Sequence, residues 1–263
     1  MSTSKDGALL TTIRDLARRR GRERRGLALA EGVRLVEEAL AAGIPVRGAA
    51  VSAALEGTPR GGALKTALAE RGVPLVDVSP AQLEELADTE HPQGVVAAIQ
   101  PRVWSLAHLL PGPGAVILVL DAVQDPGNVG TMLRTALALG AVGVVALKGT
   151  AELTNPKVLR GSMGAAFRLP AVASDADTLL GWAQARGVEL WVAAADGEPV
   201  GPQAPRASRP PLALALGNEG AGAGAALQAR AGRRVAVPLA PGVDSLNVAV
   251  AAGILLYEVT RDA

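Results

Sequence analysis

The feature that most constrains this chain is a pair of short, wholly apolar runs in its second half. Residues 115–120 and 212–216 contain no polar side chain, and helix-like patterns separate them from further short apolar runs. Such a run is typical of a strand buried on both faces, as in a parallel sheet that helices cover. The alternation therefore predicts an α/β fold with a mostly parallel sheet.

The first hundred residues repeat this alternation on a smaller scale. Apolar strand patterns recur there between helix patterns, at 27–31, 46–51, 74–78 and 95–99. A basic helix is expected at 8–20, and the proline and glycine content of 101–114 indicates a linker. We therefore expect a small α/β domain at 1–100, then the linker, then a larger domain at 115–263.

Scarce residue types exclude several kinds of active site. The chain has no cysteine, which excludes disulfides, thiolate metal sites and cysteine nucleophiles. Its two histidines, His91 and His108, have no further ligand at metal-binding spacing, so neither a histidine metal site nor a Ser-His-Asp triad is expected. The chemistry of this chain is therefore expected to need no metal ion.

No segment is long and apolar enough to predict a membrane span. The longest apolar run, at 246–257, is interrupted by Asn247 and Gly253, and it is shorter than the ~18–20 residues that a bilayer requires. The first ten residues lack the apolar core of a secretory signal. A cytoplasmic protein without membrane contact is expected.

Positive charge is concentrated near the amino terminus, although the formal net charge of the whole chain is only +1. The basic segment, residues 14–25, holds seven arginines against Asp15 and Glu23. Such a segment is typical of phosphate binding, and the alternative is a solvated helix face. The sequence leaves both interpretations open.

The last helix, expected from residue 245 onward, is apolar on nearly every face. A helix of that kind must be covered on all sides, whereas the terminal helix of a modest domain is usually covered on one. A second subunit is the simplest additional cover, so a homodimer through this helix is predicted. The alternative is a helix enclosed within one chain.

Polar residues and glycines directly follow three of the predicted strands, in segments that begin at Asp121, Gly217 and Pro238. Ligands of open α/β sheets bind at the carboxyl ends of strands, so these segments are expected to form one site. In the first, Arg134 lies in an otherwise apolar helix, where it needs an anion or a water-lined site unless it snorkels from the core. In the third, Ser245 is expected to cap the final helix.

The glycines of the second segment imitate a nucleotide-binding loop. Gly220, Gly222 and Gly224 follow a strand, but they lack the G-x-G-x-x-G spacing of dinucleotide-binding folds. Only 39 residues follow Gly224, too few for the remaining units of such a fold. A Rossmann-type oxidoreductase is therefore a minor alternative, and the sequence contains no P-loop motif.

Together the three segments resemble the three motifs of the SpoU (TrmH-like) RNA 2′-O-ribose methyltransferases, which belong to the SPOUT superfamily. The match comprises N-x-G-x-x-x-R at 128–134, L-G-N-E-G at 216–220, and Pro238 followed by S-L-N-V at 245–248. The N-P-K-x-x-R pattern at 155–160 also resembles this family. Segments 30–36 and 92–97 resemble its L30e-like substrate-binding domain.

This resemblance implies both a fold and an activity. The fold would be a small L30e-like α/β domain followed by a trefoil-knotted, mostly parallel sheet flanked by helices. The activity would be methyl transfer from S-adenosylmethionine to a ribose 2′-hydroxyl of structured RNA, with ribosomal RNA as the favoured substrate, by a homodimer. The alternatives are a tRNA 2′-O-methyltransferase and a non-catalytic RNA-binding protein on the same fold.

The resemblance also implies which residues form the site. The catalytic residues would be Asn128, Arg134, Glu219, Ser245 and Asn247. S-Adenosylmethionine would contact Leu216, Gly217, Asn218, Gly220, Val237, Leu239, Ser245 and Leu246. RNA would contact Arg18, Arg19, Arg20, Arg22, Arg24, Arg25, Lys157 and Arg160. The chain has only five aromatic residues, which leaves little for base stacking, and Phe167, beside Lys157 and Arg160 in sequence, is the candidate for such a contact.

Overall fold

The protein divides into two compact units in a computed structural model that describes residues 4–201 and 204–261. The first unit contains the chain up to Arg102 together with Thr154–Arg168. The second unit contains Val103–Leu153 and the chain from Leu169 onward. Each unit has its own sheet and its own apolar core.

Strands and helices alternate along most of the chain. The strands are β1 (Ala28–Glu31), β2 (Val46–Val51), β3 (Leu75–Asp77), β4 (Val95–Ile99), β5 (Val116–Leu120), β6 (Gly143–Leu147), β7 (Ala171–Ser174), β8 (Glu189–Pro199), β9 (Leu212–Leu216) and β10 (Arg233–Ala236). The helices are α1 (Ser4–Leu16), α2 (Arg19–Arg25), α3 (Val33–Ala41), α4 (Pro59–Glu70), α5 (Pro80–Leu86), α6 (Pro126–Ala138), α7 (Pro156–Ser162), α8 (Ala165–Arg168), α9 (Ala176–Ala185), α10 (Ala225–Arg230) and α11 (Val248–Thr260).

The first unit has a four-stranded sheet that helices cover on both faces. The strand order is β1-β4-β2-β3, and only β2 and β3 run parallel. In β4, Val95, Ala97 and Ile99 join the core formed with α3 and α4, while Val96 and Ala98 join the core formed with α1 and α5. Because alternate residues of a strand face opposite sides, cover on both faces explains why every residue of β4 is apolar.

Thr154–Arg168 belongs to the first unit, whereas the sequence placed a helix at 155–165 in the second domain. Two helices, α7 and α8, form instead, and they bring Leu159 and Phe167 into the same core as α3. Phe167 is 1% exposed. This candidate for base stacking is therefore excluded, because the ring is part of the core of the first unit.

Arg160 attaches this inserted segment to the sheet through charge. Its guanidinium lies 3.6 Å from Glu31 Oε2 and 3.0 Å from Asp88 Oδ2. The Glu31 carboxylate is buried, and it also accepts hydrogen bonds from the Asp88 backbone N–H (2.8 Å) and the Thr89 hydroxyl. Arg160 therefore compensates a buried negative charge, which would be costly to leave without a cation.

The second unit has a six-stranded sheet in the order β10-β8-β9-β5-β6-β7, in which all neighbouring strands run parallel. Every residue of β5, β6 and β9 is buried. This arrangement confirms the predicted α/β fold with a mostly parallel sheet. The trefoil knot stays a prediction.

The direction in which the chain crosses this sheet reverses between β5 and β9. From β5 the chain proceeds outward to β6 and β7, and it then returns through β8 and β9 on the other side. Such a reversal opens a crevice at the carboxyl ends of the two central strands, which is where ligands of doubly wound sheets bind. The segments that begin at Asp121 and Gly217 follow these two strands and therefore lie at this crevice.

The last helix, α11, begins at Val248 and not at residue 245 as expected. It packs against α6, and residues such as Leu255 and Leu256 are buried. Its other side remains apolar and exposed, with Val250, Ile254 and Tyr257 one turn apart. Within the described residues, no helix is long and apolar enough to cross a membrane.

Replacing Phe167 by alanine should lower the free energy of unfolding of the first unit by about 3–5 kcal/mol, the usual cost of deleting a buried aromatic ring. Phe167→Leu retains much of the apolar volume and should cost less. Hydrogen exchange of the β4 amides in increasing denaturant measures this unit separately. A cost below about 1 kcal/mol for Phe167→Ala would contradict the placement of 154–168 in this core.

Candidate active site

The polar segments of the second unit meet where β5 and β9 end. The two strands pair with Leu120 opposite Leu216, so the segments that follow them leave the same edge of the sheet. A cavity of about 660 Å³ lies at this edge, a volume typical of small-molecule sites. Its walls are the second half of β8, the loops after β9 and β10, and one face of α11.

The cavity lining includes every residue that the sequence assigned to the cofactor. Those residues are Leu216, Gly217, Asn218, Gly220, Val237, Leu239, Ser245 and Leu246. The leucine and valine side chains supply apolar walls, while Glu219 and Asp244 supply carboxylates. This combination suits a ligand with an apolar ring and a cationic group. Across residues 4–201 and 204–261, no cluster of three or more histidine or acidic side chains could hold a metal ion.

One wall of the cavity was not predicted from the sequence, and the second half of β8 supplies it. Asp196 and Gly197 lie there, and Asp196 forms an ion pair with Arg234 of β10. A Cβ atom on Gly197 would lie 2.6 Å from the backbone carbon of Val235, so only glycine fits where these two strands approach. The sequence feature that could have predicted this wall is Ala-Asp-Gly at 195–197, directly after an apolar strand pattern.

A chain of hydrogen bonds joins the three polar segments. Asn128 Nδ2 donates to Glu219 Oε1 (2.8 Å), and Asn247 Nδ2 donates to Asn128 Oδ1 (3.0 Å). Asn247 Oδ1 in turn accepts from the backbone N–H groups of Ala249 and Val250 at the start of α11. We call this chain the Glu219–Asn128–Asn247 relay. It brings together three of the five residues that the sequence assigned to catalysis.

Ser245 does not cap the final helix, contrary to the sequence expectation. Asn247 is the N-cap residue, because its side-chain oxygen accepts the first free N–H groups of α11. Ser245 lies two residues earlier, exposed in the loop that lines the cavity. Serine and asparagine are comparably good N-caps, so the local sequence did not distinguish them.

Arg134 lies on the exposed side of α6, six residues or about 9 Å along the helix from Asn128. Met132 and Leu133 face the core while Arg134 faces solvent, so of the surroundings expected for this cation the structure has the water-exposed one. Its guanidinium makes no hydrogen bond or ion pair with the residues that the structure describes. Arg134 is thus an exposed cation on the helix that carries Asn128.

Part of the basic segment is committed to internal contacts. Arg22 is 5% exposed, and its guanidinium donates to the carbonyl oxygens of Leu16 and Ala17 at the end of α1. This position corrects the assignment of Arg22 to RNA, because its donors satisfy carbonyls that a helix end leaves free. Arg19 forms an ion pair with Glu23 one turn along α2 (2.7 Å).

The remaining arginines of the basic segment differ in their surroundings. Arg24 and Arg25 both contact Asp15 Oδ2, and the hydrogen bond from Arg25 is the main cause of the lowered pKa of that carboxyl. Arg18 and Arg20 are exposed and form no ion pair with any described residue. Arg18 is the N-cap residue of α2 and Arg20 lies within the helix, and among the described residues no carboxylate compensates the charge of either one.

Lys157 and Arg160, the other two residues assigned to RNA, also differ. Lys157 is exposed near the start of α7. Arg160 is the cation of the Glu31 and Asp88 contacts described above. A direct RNA contact would therefore compete with these two carboxylates at Arg160 but not at Lys157.

Sequence profiles of known families match both parts of the chain. The SpoU rRNA Methylase family matches residues 115–257, which include all three polar segments and the whole relay. The MRM3-like substrate binding domain matches residues 10–97, which include most of the sheet of the first unit.

Relatives of comparable length are named as RNA methyltransferases. An uncharacterized tRNA/rRNA methyltransferase of Synechocystis is 35% identical over 98% of this chain and 93% of its own length. RlmP of Bacillus subtilis, a 23S rRNA (guanosine(2553)-2′-O)-methyltransferase, is 37% identical over 72% of this chain and 73% of its own length.

Solved structures match the whole chain. The AdoMet-bound rRNA methyltransferase of Sinorhizobium meliloti superposes with a TM-score of 0.84 at 28% identity, over 98% of this chain and 96% of its own. The SpoU methyltransferase AviRb of Streptomyces viridochromogenes, in complex with AdoMet, superposes with a TM-score of 0.84 at 28% identity, over 98% of this chain and 97% of its own.

Proposed function

The chain belongs to the SpoU rRNA methylase family, and on that premise we propose that it transfers a methyl group from S-adenosylmethionine to a ribose 2′-hydroxyl of ribosomal RNA. The observation that carries this proposal is the Glu219–Asn128–Asn247 relay at the edge of the cavity. The relay joins three segments that are far apart in the sequence, at the place where a cofactor and a second substrate can meet. A non-catalytic RNA-binding protein would not need this arrangement.

The cavity suits S-adenosylmethionine by its chemistry. Leu216, Val237, Leu239 and Leu246 offer apolar surface to an adenine ring, and the Glu219 carboxylate lies in the lining where a cationic group could face it. When bound, the cofactor supplies an electrophilic methyl group. The chain itself binds, orients and shields the two reactants, which is the larger part of catalysis by positioning.

The relay holds the catalytic segment in one geometry. Glu219 accepts from one side of the Asn128 amide, and Asn247 donates to the other, so the Asn128 side chain cannot rotate without losing both bonds. Asn247 is itself fixed by its N-cap contacts with α11. Asn128 is therefore a rigid polar group that can orient the ribose, and Ser245 can contact either reactant from the cavity wall.

Arg134 acts as a cation and not as a base. A ribose hydroxyl is a poor nucleophile that must lose its proton as the methyl group arrives, but a guanidinium is effectively always protonated. We therefore assign to Arg134 the binding of the neighbouring RNA phosphate and the stabilisation of the developing alkoxide. The proton leaves to phosphate or to water. Its exposure and lack of a partner among the described residues suit this role.

Ribosomal RNA is the favoured substrate for two reasons. The relatives whose names give a single RNA are named as 23S rRNA methyltransferases, and the first unit matches a substrate binding domain. In this proposal Arg18, Arg20 and Lys157 contact phosphates of the RNA, because their charges are exposed and uncompensated by described residues. Methylation of tRNA is the second candidate, since the Synechocystis relative is named for both RNA classes. A ribosomal substrate also fits the predicted cytoplasmic location.

A homodimer through α11 is part of the proposal. Val250, Ile254 and Tyr257 are 50%, 38% and 54% exposed and recur at positions i, i+4 and i+7 on one side of the helix. Contiguous apolar side chains of this kind are costly to leave in water, and a second copy of the chain would cover them.

Replacing Val237 by arginine should weaken S-adenosylmethionine binding by about 100-fold or more, because the new side chain would place a charge in an apolar wall of the cavity. Titration calorimetry with S-adenosylmethionine and S-adenosylhomocysteine measures the change. Val103→Arg is the matched control, since Val103 is 90% exposed and does not line the cavity. Equal affinity of the Val237 variant and the control would overturn the proposed cofactor position.

Replacing Arg18 and Arg20 together by alanine should weaken RNA binding and reduce its salt dependence. The slope of log K against log salt should fall by about 1.4, since each lost phosphate contact removes about 0.7 for single strands. Binding of a ribosomal RNA fragment at several salt concentrations measures this slope. The double variant Arg186→Ala and Arg230→Ala removes the same charge from exposed positions in the second unit and should leave the slope unchanged. Identical slopes for all three proteins would support the solvated-helix interpretation.

Replacing Arg134 by alanine should reduce single-turnover methylation by at least about 100-fold, the scale of removing one preorganised electrostatic group. The variant should still fold and bind S-adenosylmethionine, because the guanidinium is exposed and outside the cavity lining. Arg134→Lys should recover little, since a point charge does not reproduce the bidentate guanidinium. The control is Arg230→Ala, which should retain activity. Near-normal methylation by Arg134→Ala would refute the assigned role.

A further inference from the structure

Two side chains outside the relay fix the loop that carries Glu219. That loop begins where β9 ends, beside the end of β5, and the ladder extends one residue further through Asp121 N–H to Leu216 O (2.9 Å). Beyond this bond both segments turn sharply. Ala122 adopts φ 56°, a left-handed conformation that a residue with a Cβ rarely takes. Contacts from elsewhere must therefore hold Ala122 in place.

Asn218 holds the entrance of the loop. Its Nδ2 donates to the carbonyl oxygen of Ala122 (3.2 Å), and its Oδ1 accepts from the N–H groups of Gly220 (2.9 Å) and Ala221 (3.3 Å). The amide is thus occupied at both ends by the protein itself. The sequence assigned Asn218 to the cofactor, but these contacts give its side chain an internal role.

Asp121 holds the exit of the loop. Its Oδ2 accepts from the backbone N–H of Gly224 (2.7 Å), the residue that precedes α10. Gly217 closes the loop from within, because a Cβ atom there would lie 2.0 Å from the backbone carbon of Gly222. Reciprocal backbone bonds between Asn218 and Gly222 complete the closure. The loop therefore cannot shift along β5 while these contacts persist.

Glu219 lies between the two contacts, and its carboxylate is the acceptor from which the relay begins. We propose that Asp121 and Asn218 are positioning residues for methyl transfer, which act through Glu219 by fixing its loop against the segment that carries Asn128. This inference rests on the proposed function for its consequence in catalysis. The structural part of the inference is that the Asn128–Glu219 bond depends on Asp121 and Asn218, and this part does not require the proposed function.

A double-mutant cycle tests the proposal. Asp121→Ala and Asn218→Asp should each lower kcat by about 10- to 100-fold at saturating cofactor, since small misplacements in an active site cost this much. When Glu219 is already replaced by alanine, adding either substitution should lower kcat by less than about threefold further. The reason is that residues which act through one another have non-additive effects. Equal factors in both backgrounds, or an unchanged kcat for the single variants, would overturn the proposal. Asp121→Asn keeps an acceptor for Gly224 and should recover most of the activity.

A matched control separates positioning from general destabilisation. Asp175 also accepts a backbone N–H at a helix start, from Thr178 (2.8 Å), but it caps α9 and does not line the cavity. Asp175→Ala should therefore lower the melting temperature and leave kcat unchanged. A loss of kcat equal to that of Asp121→Ala would mean that loss of a carboxylate–backbone contact near a helix start explains both effects, against the proposal.

A second measurement does not depend on activity. The side-chain amide protons of Asn128 should exchange faster in Asp121→Ala and Asn218→Asp, as in Glu219→Ala, and not in Asp175→Ala. NMR spectra of the whole protein with labelled asparagine provide this measurement. Unchanged exchange in the first two variants would overturn the proposal. If the wild-type protein methylates no ribose while these exchange rates change as expected, the proposed function fails and the positioning contacts remain.

Discussion

The parallel pairing of β5 with β9 is the contact on which the rest of the site depends. Both strands are wholly buried and pair in register, so burial of their apolar side chains stabilises an arrangement that local sequence could not produce. Because parallel strands end at the same edge, the pairing places Asp121 next to Gly217 although 96 residues separate them in the chain. The Asn128–Glu219 bond of the relay joins the two segments that this placement brings together.

The site is rigid because its polar side chains form hydrogen bonds that join one segment of the chain to another. Asn218 uses both ends of its amide, Asp121 closes the exit of the loop, and Asn247 caps α11 while it donates to Asn128. Loops supply this site, and loops are mobile unless such contacts hold them. Arg134 differs, since it is exposed and without a partner among the described residues, which is why we propose that it binds the RNA.

The sequence predicted the sheet and the cavity better than it predicted whether individual charged and aromatic side chains are buried or exposed. Apolar runs such as 212–216 and 115–120 identify buried strands because five or six consecutive residues carry no polar side chain. The motif resemblance located the eight residues assigned to the cofactor, all of which line the cavity. Burial of Arg22 and Phe167 was not predictable, because it depends on the end of α1 and on which unit receives residues 154–168. The choice of Asn247 over Ser245 as the N-cap was likewise decided by tertiary contacts, since Asn247 also bonds Asn128.

The most direct test of the central claim is a map of ribose 2′-O-methylation across the ribosomal RNA of cells that have or lack this protein. The account predicts that methylation of a specific ribose disappears without the protein and returns when the wild-type chain is restored. It further predicts that a chain with Asn128→Ala, in which the relay is broken, does not restore it. Identical methylation maps of ribosomal RNA in both kinds of cell would contradict the account.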